Sequence, residues 1–176
     1  MRFLPTAIKG AFIVELDGEA DDRGIFARLF CGAEFARAGI DFAPVQVNLS
    51  RNPAMGTLRG MHTQPPPYAE AKLVHCVRGR IFDVAIDLRR DSNSFGRHVG
   101  VDLDADADRL FYIPPGCAHG FLTQQPDSDV LYYMGTAFVS GVGIGVRWND
   151  PAFNIAWPDR PTIMSDRDAG YPDHAG

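Results

Sequence analysis

The chain has 176 residues, of which 45% are hydrophobic and 22% are charged, as expected for one globular domain with its own core. The formal net charge of −5 argues against a broad nucleic-acid-binding surface, and no apolar run is long enough for a membrane helix. The first ten residues lack the apolar core of a signal peptide, and the three cysteines fit neither a zinc site nor a disulfide framework. We therefore expect a single cytoplasmic domain over residues 1–176, with reduced and buried thiols.

The predicted elements are mainly short strands separated by turns, because the chain contains 18 glycines and 13 prolines. A polar loop is predicted at residues 17–24, and the best short helix covers residues 32–38. Strands are predicted, in chain order, at residues 10–16, 44–48, 72–77, 80–88, 98–103, 109–113, 121–124 and 130–138. This regular spacing of short strands favours an all-β sandwich or barrel.

Residues 56–79 have the frame of a small β-barrel binding site. Gly56 and Gly79 lie where such barrels turn, and His62 occupies the position of a first metal ligand. The second ligand position holds Gln64, and the acidic ligand position holds Lys72. Divalent metals prefer imidazole, thiolate and carboxylate ligands, and a lysine ammonium would repel the ion. The segment therefore predicts acid–base chemistry without a metal.

A second motif, Pro-Pro-Gly-Cys-Ala-His-Gly at residues 114–120, has the Pro-x-Gly-x-x-His pattern that closes a two-motif cupin barrel. The order and separation of the two motifs predict a double-stranded jelly roll with short peripheral helices. In this fold His119 would face Lys72 and Gln64. It could bind a substrate oxygen, tune His62, or have a purely structural role.

Further motifs extend this pattern along nearly the whole chain. In order they include Gln46-Val-Asn48, Leu58-Arg59-Gly60-Met61-His62-x-Gln64, Lys72-Leu-Val, Phe82-Asp-Val-Ala-Ile-Asp-Leu-Arg89, Ile113-Pro-x-Gly-x-Ala-His119-Gly120-Phe121, Leu131-Tyr132, Gly145-Val-Arg147-Trp148-Asn149-Asp150-Pro151, Trp157-Pro158 and Ser165-x-x-Asp168. Together they resemble the dTDP-4-dehydrorhamnose 3,5-epimerase family between about residues 10 and 168. The resemblance implies a homodimeric jelly-roll enzyme that acts on a nucleotide-linked 4-keto-6-deoxyhexose without a metal or other cofactor.

The resemblance also implies catalytic roles for four side chains. The substrate ketone acidifies the C–H bonds on carbons 3 and 5, and His62 resembles the general base that removes the proton, with Asp168 as its dyad partner. Tyr132 resembles the acid that returns a proton to the opposite face. Lys72 resembles the cation that stabilises the enolate oxygen. Tyr133 would point to the other face of a regular strand and is the poorer candidate.

Substrate-binding residues follow from the same resemblance. Arginine side chains suit phosphate oxygens, and Arg23 and Arg59 match the diphosphate-binding positions, with Arg51 as a weaker third candidate. Arg23 is expected to enter the site of the neighbouring subunit. The other expected substrate contacts are Phe26, Gln46, Asn48, His119 and Phe138.

A few positions depart from the family pattern. Arg28 stands where glutamate is usual, Thr63 replaces an aromatic residue, Tyr133 replaces a lysine, and residues 140–145 are unusually rich in glycine. They leave open the nucleotide, the sugar, the pathway, and whether carbon 3 alone is epimerised. Two other classes stay open: a metal cupin, disfavoured by the two non-ligand positions, and a non-catalytic sugar-nucleotide-binding protein, disfavoured by the intact catalytic set.

Overall fold

The computed structural model describes residues 1–174, and within them the chain forms thirteen strands and two short helices. In chain order they are β1 (Arg2–Pro5), β2 (Phe12–Glu15), β3 (Glu19–Asp21), β4 (Gly24–Phe26), α1 (Gly32–Arg37), β5 (Gln46–Asn52), β6 (Leu58–Thr63), β7 (Lys72–Arg78), β8 (Arg80–Asp87), β9 (His98–Asp104), β10 (Arg109–Ile113), β11 (Cys117–Thr123), β12 (Ser128–Met134), β13 (Ile144–Gly145) and α2 (Asp166–Ala169).

Two antiparallel sheets form the body of the fold. The six-stranded sheet has the order β1-β2-β10-β7-β12-β5, and the five-stranded sheet has the order β13-β6-β11-β8-β9. The main apolar cluster draws on both sheets, with Val74 and Phe111 from one and Ile81, Leu103 and Phe121 from the other. The core therefore lies between the sheets, as in a sandwich. The prediction of an all-β jelly roll is confirmed.

Successive side chains of a strand alternate between the two faces of its sheet, and this alternation separates two layers of packing. On β8, Ile81 and Ala85 pack in the core between the sheets, whereas Val84 and Ile86 pack in a second cluster on the outer face. The strand is buried on both faces, as its apolar sequence predicts.

The predicted loop at residues 17–24 is wrong, because β3 and β4 form an exposed antiparallel hairpin there. The strand predicted at residues 121–124 begins earlier, at Cys117, and no strand was predicted for β6. Gly120 lies inside β11, at a point where β6 passes very close to it. A Cβ on Gly120 would lie 2.7 Å from both the Arg59 carbonyl oxygen and the Met61 sulfur.

Two other predicted strands have shifted ends. The strand predicted at 44–48 is β5 and continues to Asn52, and the one predicted at 130–138 is β12 and ends at Met134. Met134 pairs with Gln46 and Lys72, the first residues of the two neighbouring strands. β12 ends at Met134 because the neighbouring strands β5 and β7 offer no further residues with which to pair. The sequence of β12 alone does not reveal this limit.

The cysteines are free thiols, as predicted, but only two of them are buried. Burial raises the pKa of the Cys76 thiol to about 11 and that of Cys117 to about 12. Cys31 is half-buried at the start of α1, which corrects the expectation that all three are enclosed. Within residues 1–174 no helix has the length and apolar character needed to cross a membrane.

Gly79, in the tight turn between β7 and β8, has a φ of 72° and should tolerate no side chain. A Cβ there would lie 2.5 Å from Ser128 Oγ and 3.0 Å from Ser128 Cα, and that hydroxyl is held by hydrogen bonds to Arg80. Gly79→Ala should lower the free energy of unfolding by about 3 kcal/mol, from left-handed backbone strain and from steric overlap.

Gly96 provides the matched control, since its φ is 75° and nothing lies within 4 Å of a Cβ built on it. Gly96→Ala should therefore cost only the backbone strain, about 1–2 kcal/mol. Urea unfolding of both variants measures the difference. Equal losses would contradict the steric part of the prediction.

Candidate active site

A cavity of about 640 Å³ is lined by side chains of both sheets. Strands β5, β7 and β12 supply one wall, and β6 and β11 supply another. The cavity brings together eight of the candidate catalytic and substrate-binding residues predicted from the sequence, which are Asn48, Arg51, Arg59, His62, Lys72, His119, Tyr132 and Phe138.

His62 and Asp168 form a hydrogen-bonded pair at this cavity although 106 residues separate them. His62 Nε2 lies 2.7 Å from Asp168 Oδ1, and the Gly60 N–H donates to Asp168 Oδ2 at 3.1 Å. The short helix α2 carries Asp168, and its N-cap Ser165 accepts a hydrogen bond from the Asp168 N–H. The imidazole is 43% exposed towards the cavity, whereas the carboxylate is only 6% exposed.

Burial acts to raise the pKa of Asp168, but the hydrogen bonds from His62 and the Gly60 N–H outweigh it. The pKa of Asp168 therefore lies below its ordinary value, and the carboxylate is ionised at neutral pH. An ionised partner accepts a hydrogen bond from one imidazole nitrogen and so fixes the tautomer and the orientation of the ring.

Tyr132 lines the same cavity from the six-stranded sheet. Its ring packs edge-on against His119, with the ring centroids 5.8 Å apart, and Tyr133 packs on the other side of the sheet, as predicted. Burial and, to a smaller degree, the Asp83 carboxylate raise the pKa of Tyr132 well above its ordinary value. The phenol is neutral at physiological pH, as an ordinary tyrosine is, and burial makes it a weaker acid than a solvated phenol.

His119 is paired with a carboxylate that the sequence analysis missed. His119 Nε2 lies 2.6 Å from Asp83 Oδ1, and both side chains are almost completely buried. Burial raises the pKa of Asp83, although His119 opposes the shift. The available signal was an acidic residue inside the apolar strand β8, since a buried acid needs a partner.

Lys72 also has a partner that the sequence analysis missed. Lys72 Nζ lies 2.7 Å from Glu70 Oε1, and Gln64 Nε2 donates to Glu70 Oε2 at 2.5 Å. All three side chains are buried and line the cavity. Within residues 1–174 no three His, Cys, Asp or Glu side chains are grouped so that they could hold a metal ion.

Arginines line the open side of the cavity. Arg59 donates to Asn52 Oδ1 at 2.8 Å, and Arg51 lies 4.0 Å from Asp129. Arg167, which the sequence analysis did not identify, lines the cavity and donates to the Gly143 carbonyl oxygen at 2.9 Å. Its position directly before Asp168 was the signal that could have found it.

Gln46 lies just outside the cavity wall and supports it. Its amide donates to Asn48 Oδ1 at 2.9 Å, and its carbonyl oxygen accepts the Phe138 N–H at 3.1 Å. These bonds tie β5 to the segment that follows β12. The glycine-rich residues 140–145 form part of the rim, and Gly145 pairs with His62.

Arg23 and Phe26 do not join the cavity of their own chain. Both lie on the β3–β4 hairpin, where the Arg23 side chain is 89% exposed and pairs with Asp21, and Phe26 is 80% exposed. Arg28, the departure from the family pattern, pairs with Glu34 at 3.0 Å. The structure of one chain therefore gathers only part of the predicted substrate-binding set.

The family model described as dTDP-4-dehydrorhamnose 3,5-epimerase matches residues 5–175. The chain belongs to this family. The dTDP-4-dehydrorhamnose 3,5-epimerase of Shigella flexneri is 38% identical over 169 residues, which are 96% of this chain and 93% of that protein. The resemblance inferred from the motifs is confirmed.

Solved structures of the epimerase family superimpose on this chain along nearly its whole length. The dTDP-4-dehydrorhamnose 3,5-epimerase of Elizabethkingia anophelis has a TM-score of 0.95 at 34% identity and covers 98% of this chain and 96% of that one. A 3'-monoepimerase of Streptomyces bikiniensis in complex with dTDP-quinovose has a TM-score of 0.89 at 35% identity, with coverages of 96% and 86%.

Proposed function

We propose that this protein epimerises a dTDP-linked 4-keto-6-deoxyhexose at carbons 3 and 5, through an enolate and without a metal ion. The observation that carries the proposal is the pairing of two complementary groups at one cavity. The His62–Asp168 dyad offers a base, and the neutral phenol of Tyr132, which lines the same cavity, offers an acid. Inversion needs two such groups, since a single group would return the proton to the face from which it came.

The reaction begins when His62 takes the proton from a carbon beside the ketone. The C–H electrons form a carbon–carbon double bond, and the carbonyl electrons move to oxygen as an enolate. Asp168, ionised because its pKa is lowered, stabilises the imidazolium that forms. Lys72 lines the cavity with its ammonium and stabilises the enolate oxygen as the negative charge develops.

The second half of the reaction returns a proton to the other face. The enolate electrons re-form the ketone while the carbon takes the phenolic proton of Tyr132. The tyrosinate then regains a proton and the imidazolium loses one, both by exchange with solvent. Each epimerisation therefore introduces a solvent hydrogen at the inverted carbon.

The arginines at the cavity mouth suit the diphosphate of the substrate. Arg59 is exposed at the rim beside Arg51 and Arg167, and guanidinium groups bind phosphate oxygens in a bidentate manner. Asn48 and Phe138 border the same opening, where an amide and an aromatic ring suit the nucleoside.

Epimerisation at carbon 3 alone is the second candidate. One solved structure with the same fold is described as a 3'-monoepimerase, and it is 35% identical to this chain. The rim of the cavity carries Gly141 and Gly143 in a segment that departs from the family pattern. A change at the rim can alter how the sugar turns between the base and the acid.

We further propose that the protein acts as a homodimer. Strand β5 is the edge of the six-stranded sheet, and Val45, Val47 and Leu49 on or beside it are 64%, 53% and 48% exposed. Ile25 and Phe26 on the β3–β4 hairpin are likewise exposed. An uncovered apolar edge strand favours association, and a second copy would bring Arg23 and Phe26 to a cavity that lacks them.

His62→Ala should reduce proton exchange at carbons 3 and 5 by about 10²–10⁴-fold, because the general base is lost. The measurement is deuterium incorporation by NMR after incubating a dTDP-4-keto-6-deoxyglucose substrate in deuterated water. Exchange at carbon 3 only, in the unmutated protein, would favour the second candidate. His98→Ala, on β9 and outside the cavity, is the matched control and should exchange normally. Undiminished exchange by His62→Ala would refute the assignment of the base.

Tyr132→Phe should retain part of the exchange but lose most of the inversion, because proton removal does not need the phenol and reprotonation of the other face does. Product stereochemistry and deuterium content, followed together, separate the two steps. Tyr133→Phe is the control, since its ring lies on the opposite face of β12 and should leave both unchanged. Normal inversion by Tyr132→Phe would remove Tyr132 from its proposed role.

Mixed dimers test the exchange of residues between subunits. Arg23→Ala and His62→Ala should each have low activity alone, whereas subunits of the two variants, dissociated and reassociated together, should recover on the order of a quarter of the normal activity. The recovered site combines His62 of one subunit with Arg23 of the other. A fully active monomer in sedimentation, or no recovery in authenticated mixed dimers, would contradict the proposal.

A further inference from the structure

Glu70 is a buried carboxylate at the cavity for which the proposed reaction assigns no role. Its side chain bridges two others, with Oε1 at 2.7 Å from Lys72 Nζ and Oε2 accepting from Gln64 Nε2. The exposed fractions of the Lys72 and Glu70 side chains are only 7% and 8%. The carboxylate therefore directly contacts the cation on which enolate stabilisation depends.

The connection between β6 and β7 creates this arrangement. Gln64 directly follows β6, and Lys72 is the first residue of β7. Glu70 stands two positions before Lys72, in the connection that precedes β7, and its carboxylate reaches the Lys72 ammonium. Lys72 is in turn fixed at the backbone, because it pairs with Ile113 on one side and Met134 on the other.

A lysine side chain in a buried site needs both a counter-ion and a restraint. Its four-carbon stem is flexible, and an isolated ammonium is costly to bury. One N–H of the ammonium is used by Glu70, which leaves two donors for a substrate oxygen. Asp83 also interacts electrostatically with Lys72, but its direct hydrogen-bond partner is His119. Glu70 is the carboxylate in direct contact with Lys72.

Gln64 restrains Glu70 in the same way that Glu70 restrains Lys72. An ionised carboxylate only accepts hydrogen bonds, so the amide must turn its NH₂ group towards Glu70. This orientation is the observed one, and it leaves Gln64 Oε1 buried without a partner. Both oxygens of Glu70 are thus engaged, and rotation of the carboxylate would break one of the two bonds.

We propose that Glu70 is a positioning residue of the epimerisation, which holds the Lys72 ammonium at the place where the enolate oxygen forms. This inference rests on the proposed function. Gln64 anchors Glu70 from the opposite side. Glu70 therefore acts through Lys72 and does not contact the reacting atoms. The contribution of Glu70 grows as the enolate forms. Displacing the Lys72 ammonium weakens its interaction with the negatively charged oxygen of the transition state more than its interaction with the neutral ketone.

Glu70→Gln is the primary variant, since it keeps the size of the side chain and removes its charge. It should lower kcat about ten- to a hundredfold and change KM by less than about threefold, because the lost interaction belongs to the transition state. Glu70→Asp keeps the charge but is one methylene too short to reach both partners. Glu70→Asp should give an intermediate kcat at unchanged KM. It is the variant to measure if Glu70→Gln folds poorly.

A double-variant comparison separates positioning from folding. In the Lys72→Met background, Glu70→Gln should cause no further loss of kcat beyond about twofold, because the cation that Glu70 orients is absent. The free energies of unfolding, measured in urea, should show that the second substitution compensates for the first. Glu70→Gln alone leaves the buried ammonium without its counter-ion and is destabilising, and Lys72→Met should restore stability in the double variant.

Three outcomes decide the matter. A low kcat for Glu70→Gln, with a double variant that matches Lys72→Met, supports positioning. A normal kcat for Glu70→Gln, or an additive loss in the double variant, overturns it while the function stands. Absence of deuterium exchange by the unmutated protein refutes the proposed function itself, and with it the role of Glu70.

Discussion

The fold buries carboxylates beside a cavity, and each of them needs a partner, because an unpaired charge is costly away from water. Three acid–base pairs answer this constraint: Asp168 with His62, Asp83 with His119, and Glu70 with Lys72. In each pair the basic member lines the cavity. The paired acids thus fix three basic groups around one small space, so that the electrostatics of the site are set before the substrate arrives.

The two-sheet architecture makes such a convergence possible. Strands far apart in sequence become neighbours, as in the pairing of His119 on β11 with His62 on β6. The apolar core between the sheets borders the site. Tyr132 packs against this core beside Phe121 and is partly buried. Burial is the main cause of the raised pKa of Tyr132, so the packing keeps the phenol protonated over a wider pH range than that of an exposed tyrosine.

The fold class could be predicted from the sequence, because turn glycines, strand spacing and two ordered motifs are local signals, whereas most of the candidate site residues were predicted through the resemblance to the epimerase family. Gly56 and Gly79 do adopt the positive φ angles that turns require. Glu70 and Asp83 were missed because their importance depends on which side chain they face, and no local pattern states that. The positions of Arg23 and Phe26 also depend on more than local sequence, since the fold of one chain leaves both of them exposed on a hairpin.

The two members of the His62–Asp168 dyad stand on elements of very different size. His62 belongs to a six-residue strand within a five-stranded sheet, whereas Asp168 belongs to a four-residue helix whose cap and a few side-chain contacts hold it against β6. Small peripheral elements open by local unfolding at a lower free energy than the sheets. The His62–Asp168 pairing should then be less resistant to heat or denaturant than the fold itself, and a molecule can retain both sheets after His62 has lost its carboxylate partner.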